Sequence, residues 1–216
     1  MTPLLRLGHR GARARKSIPE NSIASFDQAL AEGCDGFEFD VRLTADGQPV
    51  ICHDPTIGAL EIQKTKAADV GRLCTLPQVL QRYHERAFLD IELKVAGLEE
   101  ITIGLLHQYP VKRGVVVSSF LPEVLERLRE LDISIPLGLI AETKSQLKQW
   151  TEVPVEYMIP QHALLTASLA EQLKSKRKKV LAWTVNRPAD IKRLASYRID
   201  GLISDDPALL CKTLSE

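Results

Sequence analysis

Short apolar runs and longer amphipathic stretches alternate along the whole chain. The runs predict strands over residues 4–8, 36–42, 87–93, 114–118, 135–140, 156–160, 179–183 and 201–204. Between them, apolar residues recurring every three or four positions predict helices over 21–32, 76–85, 98–108, 122–131, 143–150, 166–176 and 188–197, and a last one over 207–214. In the first helix Asn21 is placed to cap the N-terminus, and Ile23, Phe26, Ala29 and Leu30 form one stripe. Gly33 follows where a left-handed residue ends a helix. Pro122 and Pro188 stand in first turns, where the missing N–H costs nothing.

Eight strands alternating with eight helices predict an α/β fold, a closed (β/α)8 TIM barrel. An open doubly wound sheet shares the alternation. Polar residues gather at the C-terminal ends of the strands, where such a barrel carries its site, and this favours closure. With no linker or low-complexity segment, residues 1–216 read as a single domain. One region breaks the rhythm. Asp46-Gly47, between 41–44 and 49–53, signals a hairpin turn, and residues 54–74 read as an irregular excursion.

Composition narrows the function classes. The 216 residues are 44% hydrophobic, enough for a sizeable core, and Lys+Arg balance Asp+Glu at 28 each. A neutral chain has no global field to gather nucleic acid or an anionic membrane, so any phosphate binding must be local. No stretch approaches the ~20 apolar residues that span a bilayer. The start, through Leu7, turns polar too soon for a signal peptide, and a cytoplasmic location with no stable membrane anchor is expected. Cys34, Cys52, Cys74 and Cys211 show no CxxC spacing and read as buried thiols.

The candidate chemistry sits on the predicted strands. Glu38 and Asp40 are two apart, so they share one face of a strand, roughly 6.7 Å apart. Bare carboxylates pointing into a barrel repel and lose hydration, and a bound cation removes both costs. Phe37, Phe39 and Val41 then face the helices. Glu92 and Lys94 repeat the spacing on the third strand. Glu92 completes a three-carboxylate oxygen site suited to Mg²⁺ or Ca²⁺ rather than zinc, and Lys94 offsets phosphate charge. His9 and His53 are candidate proton carriers, each at a strand end and followed by Arg10 or Asp54. Arg10 can clamp phosphate, and Gly11 lets the backbone come close. Glu20 can reach the metal or favour the start of the helix that follows it. His84, His107 and His162 lack such neighbours and read as structural.

His9-Arg10-Gly11, Pro19-Glu20-Asn21, Glu38-Phe39-Asp40-Val41, His53-Asp54, Ile91-Glu92-Leu93-Lys94, Ser118-Ser119-Phe120, Trp183-Thr184-Val185-Asn186 and Asp200 through Asp205 follow one another in this order. Together they resemble the glycerophosphodiester phosphodiesterase family over residues 7–207. The resemblance implies a TIM barrel that hydrolyses small glycerophosphodiesters to an alcohol and glycerol 3-phosphate. It implies Glu38, Asp40 and Glu92 as metal ligands with Glu20 as a further one, and His9 and His53 as the acid–base pair. Arg10 and Lys94 stand as phosphate clamps, and Trp183 lines the glycerol end. The departure is residues 58–73, which replace the family's longer insertion after His-Asp with a short, different stretch and predict a more open pocket. A phospholipase D-like enzyme acting on phospholipids would be expected to show a secretion signal or an interfacial segment. A non-catalytic metal- or metabolite-binding barrel would be expected to have lost a histidine or a carboxylate.

Overall fold

The computed structural model describes residues 3–71 and 73–216; Met1, Thr2 and Arg72 lie outside it, and with them part of the expected chain start and of the excursion. The strands are β1 (Leu5–His9), β2 (Gly36–Leu43), β3 (Pro49–Ile51), β4 (Thr56–Ile57), β5 (Leu60–Glu61), β6 (Phe88–Leu93), β7 (Val115–Ser119), β8 (Leu137–Ala141), β9 (Tyr157–Pro160), β10 (Lys179–Ala182) and β11 (Gly201–Ser204). The helices are α1 (Ile23–Ala31), α2 (Leu76–Tyr83), α3 (Glu99–Gln108), α4 (Pro122–Leu131), α5 (Lys144–Lys148), α6 (Ala167–Ser175), α7 (Pro188–Ser196) and α8 (Pro207–Ser215).

Eight parallel strands run in the order β1-β2-β6-β7-β8-β9-β10-β11, and β11 pairs with β1, closing the barrel. Strand alternation sorts the side chains. On β2, Phe37 and Phe39 point outward against Phe26 and Tyr83, with Phe26 stacked on Phe37 at 4.2 Å between ring centroids. Inside, Leu7, Phe88, Val116, Tyr157 and Leu181 fill the lower barrel. Gly36 admits Phe88 there, since a Cβ on Gly36 would fall 1.9 Å from the Phe88 carbonyl oxygen. Above this apolar plug the inward positions turn polar.

The hairpin at Asp46-Gly47 is present: β3 pairs antiparallel with β2, Val41 opposite Ile51, with Gly47 at φ 76°. Residues 54–74 are not wholly irregular. They hold the small β4–β5 hairpin and a 3₁₀ turn at Ile62–Lys64, pinned by the fully buried Ile62.

Three expectations are corrected. Asn21 is not the cap of α1. Ser22 is: its backbone is extended and its side chain accepts the Ser25 N–H, whereas Asn21 stands at φ 54° and serves β2 instead. The fifth helix is shorter than 143–150. It ends at Lys148 and tightens into a 3₁₀ turn, because α5 has no buried residue to hold a longer one. Only Cys34 is a buried thiol; Cys52, Cys74 and Cys211 are half-buried.

Candidate active site

The polar side chains converge at the C-terminal mouth of the barrel, around a cavity of about 460 Å³. The register explains why. His9 lies opposite Glu38, and Asp40 opposite Glu92, across adjacent parallel strands. Ligand oxygens of Glu38, Asp40 and Glu92 all lie within 4.8 Å of one another. All three residues are buried, and Glu38 Oε1 has no hydrogen-bond partner among the described residues.

Their electrostatics differ. Burial, then the charges of Asp40 and Glu92, push the Glu38 carboxyl well above the usual range. Burial and Asp40 push Glu92 up to about 7. Burial also acts on Asp40, but Lys94, Arg10 and the Asn21 amide outweigh it and hold this carboxyl low. Asn21 donates to Asp40 Oδ2 at 2.8 Å and accepts the Asp40 N–H at 3.3 Å. Lys94 Nζ lies 2.6 Å from Glu92 Oε1 and 3.3 Å from Asp40 Oδ1. One step deeper, burial raises Asp90 to about 7, and Ser118 Oγ donates to it at 2.6 Å.

Arg10 caps this group. Its backbone N–H donates to Glu38 Oε2 at 3.0 Å, and its guanidinium Nε lies 3.2 Å from Asp40 Oδ2. The tight turn needs Arg10 at φ 51° and Gly11 at φ 83°, where a Cβ would collide with Ser25. Glu20 is not brought into the three-oxygen group. Its carboxylate accepts from Arg10 Nη1 and Arg13 Nε, both at 2.7 Å, and so fixes the guanidinium instead.

Both histidines are held by carboxylates. His9 Nδ1 lies 2.7 Å from Asp205 Oδ1, and its Nε2 lies 3.8 Å from Glu38 Oε2. Burial pushes Asp205 up, but His9, Asn186 and Arg13 reverse this and hold it well below the usual carboxylate range. His53 Nδ1 lies 2.7 Å from Asp54 Oδ1, and Arg42 Nε donates to the His53 carbonyl at 2.8 Å. A carboxylate only accepts, so each Nδ1 carries a proton and Nε2 is the nitrogen left to exchange one. Burial holds the His53 imidazole below its ordinary value, against the pull of Asp54.

The opposite wall is apolar. Trp183 is edge-on to Phe120, centroids 5.7 Å apart, and its Nε1 donates to the Ile159 carbonyl at 2.9 Å. Sequence reasoning had assigned no role to Asp205, Arg42, Arg13 or Phe120. Asp205 and Phe120 stand in the quoted motifs, a signal that pointed to them; Arg42 and Arg13 had none.

A parallel barrel that sets three buried carboxylates beside an arginine, a lysine and two histidines at one mouth carries the groups that phosphate-ester chemistry uses. Comparison with known proteins narrows the class. The profile described as Glycerophosphoryl diester phosphodiesterase family matches residues 9–101 and 61–209. A glycerophosphodiester phosphodiesterase of Caldanaerobacter subterraneus is 29% identical over 94% of this chain and 95% of its own. A Bacillus subtilis relative is 30% identical over 95% of this chain and 96% of its own. Among solved structures, an Oleispira antarctica phosphodiesterase in complex with the product sn-glycerol-3-phosphate superposes at TM-score 0.87 and 24% identity, over 99% of this chain and 97% of that one. The chain belongs to the glycerophosphoryl diester phosphodiesterase family.

Proposed function

We propose that this protein, as one catalytic barrel domain, hydrolyses glycerophosphodiesters to an alcohol and glycerol 3-phosphate with the aid of a divalent cation. The observation that carries the reading is the juxtaposition at the mouth: three buried carboxylates with oxygens within 4.8 Å of one another, beside Arg10, Lys94 and two carboxylate-held histidines. Glu38, Asp40 and Glu92 would hold the cation. Their all-oxygen donor set suits Mg²⁺ or Ca²⁺, and the partnerless Glu38 oxygen and the raised Glu38 and Glu92 carboxyls fit a group that lacks its counter-charge. When bound, the cation supplies Lewis-acid charge to the phosphate oxygens.

The chain's own residues do the rest. Arg10 and Lys94 grip the remaining phosphate charge. One histidine Nε2 takes the proton of the attacking hydroxyl, and the other histidine gives a proton to the leaving alcohol oxygen. Asp205 and Asp54 hold the two rings in the tautomer this requires. Trp183 and Phe120 supply an apolar wall for the glycerol end. Among the described residues, none from 54 to 74 lines the cavity, which supports an open pocket and a broad choice of head group.

The test is an assay with glycerophosphocholine, glycerophosphoethanolamine and glycerophosphoinositol under Mg²⁺ and Ca²⁺ titration. Glycerol 3-phosphate is the expected product, and chelation stops its release. Full turnover in a chelator removes the cation from the reading. More than a hundredfold preference for one substrate removes the open pocket.

A further inference from the structure

Cys34 and Cys211 come from opposite ends of the chain and meet outside the barrel. Cys34 precedes β2, and Cys211 lies in α8. Cys211 packs against the small cluster formed by Cys34, Ala12 and Ala29. Gly33 lies so near that a Cβ there would sit 3.5 Å from Cys211 Sγ. Cys211 is half-buried and open to small solutes, whereas Cys34 behind it is buried.

The surroundings divide the two thiols into roles. The adjacent Cys34 and the nearby Arg6 hold the Cys211 thiol below its ordinary value, although burial opposes them. Cys34, buried behind it, is pushed up by Cys211 beside it and by burial. Burial pushes Cys52 up, and Cys74 to about 11.

We propose that Cys34 and Cys211 are a redox pair that closes to an intramolecular disulfide when the protein meets a peroxide. The Cys211 thiol releases its proton, its thiolate attacks one peroxide oxygen, and the O–O bond breaks to give Cys211 sulfenic acid and a hydroxide, which takes up that proton as one water. The Cys34 sulfur then attacks the sulfenic sulfur. The S–S bond forms, the S–O bond breaks, and the leaving hydroxide takes the Cys34 proton as a second water. Two thiols lose two electrons, and the peroxide is reduced to two waters. The bond ties α8 to the approach of β2 across β1. It lies beside the seam where the first and last strands meet.

The test treats the folded full-length protein with stoichiometric hydrogen peroxide, then denatures it and maps its peptides without reductant. Two of the four thiols are lost, a peptide pair joining Cys34 to Cys211 appears, and dithiothreitol reverses both. The melting temperature of the oxidised form rises by about 5–10 °C. In Cys34→Ser the Cys211 sulfenic acid accumulates and is trapped by a cyclic diketone. Loss of Cys52 or Cys74 first, or oxidation of Cys211 with no linked peptide, overturns the proposal. The wild-type map decides this even if a variant does not fold.

Discussion

Asp35 and Glu38 are three residues apart and live under opposite rules. Asp35, at the N-terminal end of β2, accepts from the Arg6 backbone N–H at 2.9 Å, from its Nε at 3.0 Å and from its Nη2 at 2.9 Å. Burial pushes this carboxyl up, but Arg6 outweighs it and holds it below the usual range. Glu38, at the mouth, is raised well above it and keeps a buried oxygen with no partner among the described residues. The foot of the barrel satisfies its charges within the fold. The mouth leaves them unsatisfied for something the fold does not contain. Local disagreement with stability, in an otherwise consistent structure, is what marks a binding site.

The largest break in this contrast comes from the histidines. His9→Ala is expected to lower kcat about 1,000-fold while leaving the fold and metal affinity close to wild type, measured by turnover and by calorimetric titration with Mg²⁺ or Ca²⁺. Unchanged turnover would remove His9 from proton transfer. Asp205→Asn comes next. Its carboxylate holds the His9 tautomer, and replacing it is expected to cost about 100-fold in kcat. The pH–rate profile of that variant moves as well, which a purely structural loss would not produce.

How far the site was legible follows from where each pairing lies. The spacing Glu38-x-Asp40 and Glu92-x-Lys94 shows which face the acids share, because strand periodicity is local. Parallel register then brings the two pairs together. The His9–Asp205 contact spans 196 positions and exists only because the last strand closes on the first. Spacing carries no trace of it, and the same closure brings Cys34 to Cys211. Asn21 could be read from the sequence either as a cap or as a residue of the site, and the structure gives it to the site. A local capping rule fits it, but Ser22 meets that need one residue later and frees Asn21 to bind Asp40. The fifth helix failed where tertiary support failed, since propensity alone does not hold a short exposed helix.

Glu38→Gln sharpens the contrast in stability rather than rate. Without a divalent cation, the variant relieves repulsion among buried carboxylates and is expected to be about 1–2 kcal/mol more stable than wild type. With the cation the order reverses, because the wild type gains binding energy and the variant does not. Denaturant unfolding with and without Ca²⁺ checks both halves. A variant less stable than wild type in chelator would mean that the mouth carries no stored repulsion.

The smallest effect concerns Asp35, where pH separates the two ends. Its folded value lies below the unfolded one, so its contribution is present above about pH 4 and is lost as acid titrates the folded carboxyl. Glu38 and Glu92 lie above theirs, so in cation-free protein their penalty is absent in acid and grows as pH rises above the ordinary carboxylate value, for Glu92 towards about 7. Asp35→Asn is expected to lose about 1 kcal/mol at neutral pH, a modest figure because the Arg6 pair is roughly one-third exposed, and to flatten the acid limb alone. Glu38→Gln flattens the neutral limb alone. Unfolding curves of both variants from pH 3 to pH 8 in chelator measure the separation, and a shared limb would mean that the two ends of β2 are not electrostatically independent.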